Sequence, residues 1–159
     1  EAAEMLNGKA RFVVVGKLDI GHRDCIKGPI FDRGIKQGII EYWGEVKDMV
    51  NVLNKSSIVV MPSYREGLPK VLVEAAACSR PVITTDVPGC RDAIINNLTG
   101  LLVPVCDSKS LSEAIINLIN NPTRRRMMGE EGRKLAEEFF DKEIIVEQHM
   151  ELYNKYLKD

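Results

Sequence analysis

Ile58-Val59-Val60-Met61-Pro62-Ser63-Tyr64-Arg65-Glu66-Gly67-Leu68-Pro69-Lys70-Val71-Leu72-Val73-Glu74-Ala75-Ala76-Ala77-Cys78 is the most informative stretch of the chain. Its first four residues are apolar and β-branched or long, and Pro62 stops the run, which predicts a short strand. Residues 62–67 have loop composition. Residues 68–78 are almost wholly apolar, which predicts a helix buried nearly all round, with Pro69 in its first turn. The N–H groups of Lys70 and Val71 then point out of the helix N-terminus, where free donors and the helix dipole make an anion site. Gly67 lets the backbone come close to a ligand.

The same strand–helix alternation extends in both directions. Residues 12–15, 39–43, 58–61, 81–85 and 100–103 form short apolar runs ended by glycine, proline or aspartate. Nearly continuous apolar runs suit strands covered on both faces, as in a parallel sheet. Residues 45–54, 68–78, 107–120, 122–140 and 142–157 carry helical patterns, with Asp107 or Ser108 as an N-cap and Pro122 in a first turn. Leu135, Phe139, Phe140, Ile144 and Ile145 are expected in the core. Residues 18–38 are the least regular and predict a mobile loop and a short helix. The expected fold is α/β: a Rossmann-like, doubly wound parallel sheet with helices on both faces and right-handed crossovers. Ligands in such sheets bind beyond the carboxyl ends of the strands. Gly16, Gly44, the loop 62–67, residues 86–89 and residues 104–107 should therefore share one rim.

Composition narrows the functional classes. The chain has 159 residues, the length of one domain. Its 22 basic and 23 acidic residues give a net charge of −1, which argues against a nucleic-acid binder working by phosphate neutralisation. No apolar run approaches the ~18 residues of a membrane span. The polar, acidic first residues predict no secretory signal. Cys25, Cys78, Cys90 and Cys106 lack Cys-x-x-Cys spacing, and His22 and His149 lie near none of them, so no metal site is expected. Free thiols fit a reducing cytosol. Trp43 reads as core or sheet-edge packing, and His22 and Arg23 as loop residues. Arg124-Arg125-Arg126 reads as a solvated helix start or as a basic patch for anionic lipid.

Two carboxylates carry the chemistry. Glu74 stands among Val71, Leu72, Val73, Ala75, Ala76 and Ala77, and a buried carboxylate without partners is costly. Hydroxyls of a bound sugar or ribose would satisfy it; so would water, a nearby arginine or a loop amide. Glu66 lies just before the helix start, either as a ligand group or as a solvated loop residue.

Glu66 and Glu74 are spaced Glu-x7-Glu within Pro62-Ser63-Tyr64-Arg65-Glu66-Gly67-Leu68-Pro69. The segment Glu74-Ala75-Ala76-Ala77-Cys78-Ser79-Arg80-Pro81-Val82-Ile83-Thr84-Thr85-Asp86 follows. This pattern resembles the signature of the family 4 retaining glycosyltransferases of the GT-B fold. The likeness continues through Val87-Pro88-Gly89-Cys90-Arg91-Asp92, Asn97-Leu98-Thr99-Gly100-Leu101-Leu102-Val103-Pro104 and residues 111–119, and so covers essentially the whole chain. The Ser-Tyr-Arg-Glu-Gly-Leu-Pro form is most similar to bacterial enzymes that build capsule, exopolysaccharide, O-antigen or lipid-linked oligosaccharides.

The resemblance implies that residues 1–159 are the C-terminal, nucleotide-sugar-binding lobe of such an enzyme, without its N-terminal acceptor lobe. Glu74 would bind ribose hydroxyls. Glu66 would lie beside the donor hexose as the catalytic candidate. Backbone groups of Gly67, Leu68 and Pro69 would approach the sugar, and the amides of Lys70 and Val71 would meet the diphosphate. Pro69 offers no N–H. The base would rest against Gly16, Gly44 and Val46. The implied donor is a UDP-sugar, with no metal or other cofactor, and the implied acceptor is a glycan or lipid-linked saccharide reached through the other lobe. The implied setting is cytoplasmic, with peripheral association at the inner face of the membrane. In register, residues 12–16 match the family's second strand and Ala2 to Gly8 the end of the helix before it. The first strand and its phosphate-clamping basic pair are then absent, and Gly16-Lys17 and Lys27-Gly28 do not replace them. The competing reading is a non-catalytic nucleotide-binding or interaction module of the same fold. A GT-B epimerase or phosphorylase relative is a third.

Overall fold

The structure is a computed structural model that describes residues 1–6, 8–18 and 29–157. In chain order the elements are α1 (Ala2–Met5), β1 (Val13–Val15), α2 (Pro29–Lys36), β2 (Glu41–Gly44), α3 (Met49–Lys55), β3 (Val59–Met61) and α4 (Lys70–Ala77). These are followed by β4 (Val82–Thr85), α5 (Pro88–Ala93), β5 (Gly100–Val103), α6 (Ser108–Asn120), α7 (Pro122–Phe139) and α8 (Lys142–Tyr156). The α/β class and parallel pairing are as expected. The strands, however, hydrogen-bond as two parallel sheets, β1-β2 and β3-β4-β5, rather than as one.

β4 is the central strand of the larger sheet, and all four of its residues are buried. Successive side chains of a strand point to opposite faces. Val82 accordingly joins a core with Leu53, Leu72, Ala75, Val87, Cys90, Ala93 and Ile94, which come from α3, α4, α5 and the residues on either side of α5. Ile83 joins a second core with Leu6, Leu101, Val103, Ile115, Leu118 and Met128, so that α1, α6 and α7 cover the other face. Burial on both faces is what the apolar strand patterns required. β1 and β3 are only half-covered, and Val60 is 36% exposed.

Local sequence sets the ends of the helices. Asp48 accepts from the Asn51 amide at 3.0 Å and starts α3 there, four residues later than its amphipathic pattern suggests. Asp107 caps α6 through Ser110, and bonds from the Ser110 hydroxyl and amide hold its carboxyl below the usual carboxylate range. Asn121 caps α7, with Pro122 following it. α5 lies where no helix was expected, because only six residues separate Val87 from Ile94. The expected core at the C-terminus is not formed. α8 has no buried residue, Phe139 is 53% exposed and Ile145 is 38% exposed, while Leu135, Phe140 and Ile144 are half-buried. Helical periodicity shows an apolar face but not whether a partner covers it.

Candidate functional site

The loop Pro62–Pro69 leaves the carboxyl end of β3 and enters α4. It is anchored from β4. Thr84 and Thr85 are 0% and 2% exposed, so their hydroxyls must find partners. Thr84 Oγ1 donates to the Met61 carbonyl at 2.8 Å, and Thr85 Oγ1 donates to the Ser63 carbonyl. Ser63 Oγ in turn donates to Glu66 Oε1 at 2.7 Å. A hydrogen-bonded path thus runs from the buried strand to the Glu66 carboxylate.

Pro69 is buried and serves as the N-cap of α4, with no side-chain capping bond. The first helical amides, those of Lys70 and Val71, therefore keep the free donors that every helix start leaves over. The Leu72 amide bonds back to the Pro69 carbonyl at 3.0 Å. Among the described residues, the amides of Gly67, Leu68, Lys70 and Val71 reach no protein acceptor. Gly67 and Leu68 are exposed, so their donors open to the rim. The helix start therefore carries free amides, as the sequence led one to expect, an arrangement that in general suits an anion.

For Glu74 the sequence left a ligand, water, a nearby arginine or a loop amide open as partners, and the structure gives it a surface pairing with a lysine. Glu74 is half-buried rather than enclosed, with its side chain 35% exposed, and Lys70 Nζ lies 3.4 Å from its Oε1. A lysine one turn earlier is its partner. The six apolar neighbours of Glu74 in sequence give it the pattern of a buried residue. The helix nevertheless turns the face shared by Lys70 and Glu74 outward, while Leu72, Ala75 and Ala76 face the cores.

The other rim residues fall into a second group on the smaller sheet. The Gly16 amide donates to the Gly44 carbonyl at 2.8 Å, and Tyr42 OH donates to the Gly16 carbonyl at 2.8 Å. Gly16 and Gly44 have φ of 141° and 68°, where a side chain is strained. A Cβ on either would meet nothing within 4 Å, so the space beside them is open. Val46 is half-buried just beyond. Among the described residues, no hydrogen bond joins this pair to the Ser63–Glu74 group. Lys17 is exposed beyond β1, whereas His22, Arg23, Cys25 and Lys27-Gly28 lie outside the described residues.

Several rim features escaped the sequence reading. Arg91 in α5 pairs with Asp86 at the end of β4. The Thr84 and Thr85 hydroxyls tie the loop down, and two threonines closing an otherwise apolar strand were the visible signal. Trp43 is 40% exposed, with the Arg11 guanidinium 5.4 Å from its ring centroid. Arg124 bonds Asn117 and Asn97, and Arg125 bonds the Leu118 and Ile119 carbonyls, so two of the three arginines secure the end of α6. Among the described residues, no three His, Cys, Asp or Glu side chains gather as a metal site. No helix among them is long and apolar enough to cross a membrane.

Residues 1–135 match the family of glycosyl transferases group 1, and the chain belongs to that family. One relative is the N,N'-diacetylbacillosaminyl-diphospho-undecaprenol alpha-1,3-N-acetylgalactosaminyltransferase of Campylobacter jejuni. It is 33% identical over 159 residues, which are 100% of this chain and 41% of that protein. The capsular polysaccharide biosynthesis glycosyltransferase CapM of Staphylococcus aureus is 40% identical over 114 residues, 72% of this chain and 30% of its own length. The structure of Anabaena Alr3699/HepE in complex with UDP superposes with a TM-score of 0.89 at 20% identity, covering 97% of this chain and 43% of the other. The same protein in complex with UDP-glucose superposes at 0.87. The fold is that of a GT-B glycosyltransferase lobe. The chain spans less than half the length of these relatives.

Proposed function

We propose that the chain is the donor-binding lobe of a retaining, family 4 type glycosyltransferase. The enzyme would move a hexose or N-acetylhexosamine from a UDP-sugar to a lipid-linked glycan or polysaccharide. The observation that carries this reading is the Ser63–Glu74 loop and helix start, with four amides that meet no protein acceptor among the described residues, beside Glu66 and Glu74. The bound UDP of the Anabaena structure, the diphospho-undecaprenol-linked acceptor in the Campylobacter relative's name and the capsular polysaccharide biosynthesis named for the Staphylococcus relative support the choice of substrates.

In this reading the Lys70 and Val71 amides hold the diphosphate. Negative charge grows on that group as the glycosidic bond breaks, and preorganised N–H donors stabilise it without reorganisation. Glu66, oriented by Ser63, stands beside the sugar. Glu74 exchanges its surface pair with Lys70 for the ribose hydroxyls, and Gly16, Gly44 and Val46 leave room for the base. No metal takes part. The acceptor comes through a second lobe, and the enzyme works in the cytoplasm at the inner membrane face.

Titration calorimetry of the chain with UDP, UDP-glucose and UDP-N-acetylglucosamine tests the reading. Binding in the upper micromolar to about millimolar range is expected, with no turnover by this lobe alone. A folded chain that gives no heat with any of the three at about millimolar concentration would overturn it.

A further inference from the structure

Gly89, in the first turn of α5, touches the donor loop through its backbone. A Cβ placed there would sit 1.6 Å from the Gly67 carbonyl oxygen and 2.5 Å from the Glu66 carbonyl oxygen. Its φ is not in the left-handed region, so the glycine is required by space and not by dihedral angle. Two successive carbonyls of the loop therefore converge on α5. In a planar trans peptide the N–H points opposite to the C=O. The Glu66 carbonyl thus fixes the direction of the Gly67 N–H, and the Gly67 carbonyl fixes that of the Leu68 N–H. Both N–H groups are turned away from α5, toward the exposed rim, and neither meets a protein acceptor among the described residues. Successive N–H groups on one side of a loop form a concavity that accepts anionic oxygen.

We infer that Gly89 is a positioning residue of the donor site. By lacking a side chain it seats the Glu66 and Gly67 carbonyls on α5 and aims the Gly67 and Leu68 amides outward, as a paired donor for oxygens of the sugar diphosphate. Thr85 completes the device: it is buried one strand away and holds the Ser63 carbonyl at the other end of the same loop. The ligand named here rests on the donor-lobe reading, whereas the loop geometry stands independently of it. Helix propensity alone makes the opposite prediction for Gly89, since alanine is the better helix former.

The test uses the whole chain as wild type, Gly89→Ala, Thr85→Val and Thr85→Ser. Amide spectra of the ligand-free proteins should show Gly67 and Leu68 displaced in Gly89→Ala and Thr85→Val, with Ile115 and Leu118 in the far core unmoved. The UDP dissociation constant should rise about tenfold in the first two variants, equivalent to about 1.4 kcal/mol. Thr85→Ser, which keeps the hydroxyl, should recover the wild-type amide positions and most of the affinity. Should Gly89→Ala fail to fold, the Thr85 pair still decides whether the loop is held from β4. The proposal is overturned if Gly67 and Leu68 stay in place in Gly89→Ala, or if they move and UDP binds as in wild type. If wild type itself binds no UDP while the loop amides move as described, the donor-lobe reading fails and the seating of the loop on α5 stands.

Discussion

Ser63 and Glu66 are joined inside one loop, with Ser63 Oγ donating to Glu66 Oε1 at 2.7 Å, and the Ser63 carbonyl is itself held by buried Thr85. The Glu66 carboxylate is therefore aimed by β4 through one intermediary. A loop carboxylate fixed in this way keeps its direction without spending side-chain entropy on binding.

Glu66→Gln keeps an acceptor for Ser63 but removes the charge. A sugar losing its leaving group develops oxocarbenium character, which a neighbouring carboxylate stabilises. Transfer by an enzyme carrying this lobe should fall roughly 10²–10³-fold. UDP affinity should change by less than about threefold, roughly 0.7 kcal/mol. Product formation measured beside calorimetry separates the two effects, and an unchanged rate would remove Glu66 from the chemistry.

Glu74→Ala should weaken UDP binding about tenfold, since a hydroxyl-to-carboxylate bond is worth about 1.5–3 kcal/mol. The same change should abolish discrimination between UDP and its 2',3'-dideoxy analogue. The exposed Lys70–Glu74 pair adds little to stability, about 0.3–0.5 kcal/mol at most, and lysine preceding glutamate is the weaker orientation. An altered melting temperature with intact ribose discrimination would show that Glu74 serves the helix alone.

Arg11 and Glu41 predict a pH dependence. Hydrogen bonds from Arg11, and a lesser one from Trp43, hold the Glu41 carboxyl down at about 2 from an ordinary 4.5. In the unfolded chain that carboxyl protonates first as pH falls. The stability linked to the pair is thus complete above about pH 4.5 and lost on the way down to about pH 2. The melting-temperature gap between wild type and Arg11→Met should be constant above about pH 5 and close toward about pH 2. A gap that does not depend on pH across that window would contradict the assignment.

Gly129 and Gly132 lie one turn apart in α7 and should respond in opposite ways. A Cβ at Gly129 would stand 2.2 Å from the Ser79 carbonyl oxygen, in a turn where Ser79 has a φ of 55°. Gly129→Ala should cost about 1–3 kcal/mol by overpacking. At Gly132 the nearest atoms are 3.6 Å away, in ordinary contact with Ala76. Gly132→Ala should be neutral or stabilising by up to about 1 kcal/mol through helix propensity. Urea unfolding of the two variants side by side checks the contrast.

The sequence by itself determined the α/β class, the parallel pairing, the positions of the five strands among the described residues and the free-amide helix start after Pro69. These follow from local properties: apolar run length, helical period, caps, and a proline that fixes where a helix begins. It also placed Glu66 and Glu74 eight residues apart on either side of that helix start. What only the tertiary structure decided is what surrounds them. Glu74 sits in an apolar run, yet its rotation about the α4 axis, set by packing of Leu72 and Ala75, turns it to Lys70. The Thr85 hydroxyl and the bare Cα of Gly89 matter because β4 and α5 meet the loop of another strand across 20 or more positions. The exposed face of α8 reads as core because periodicity records an apolar stripe and not the presence of a partner. Contacts between distant segments depend on how whole layers dock, and no window of sequence contains that information.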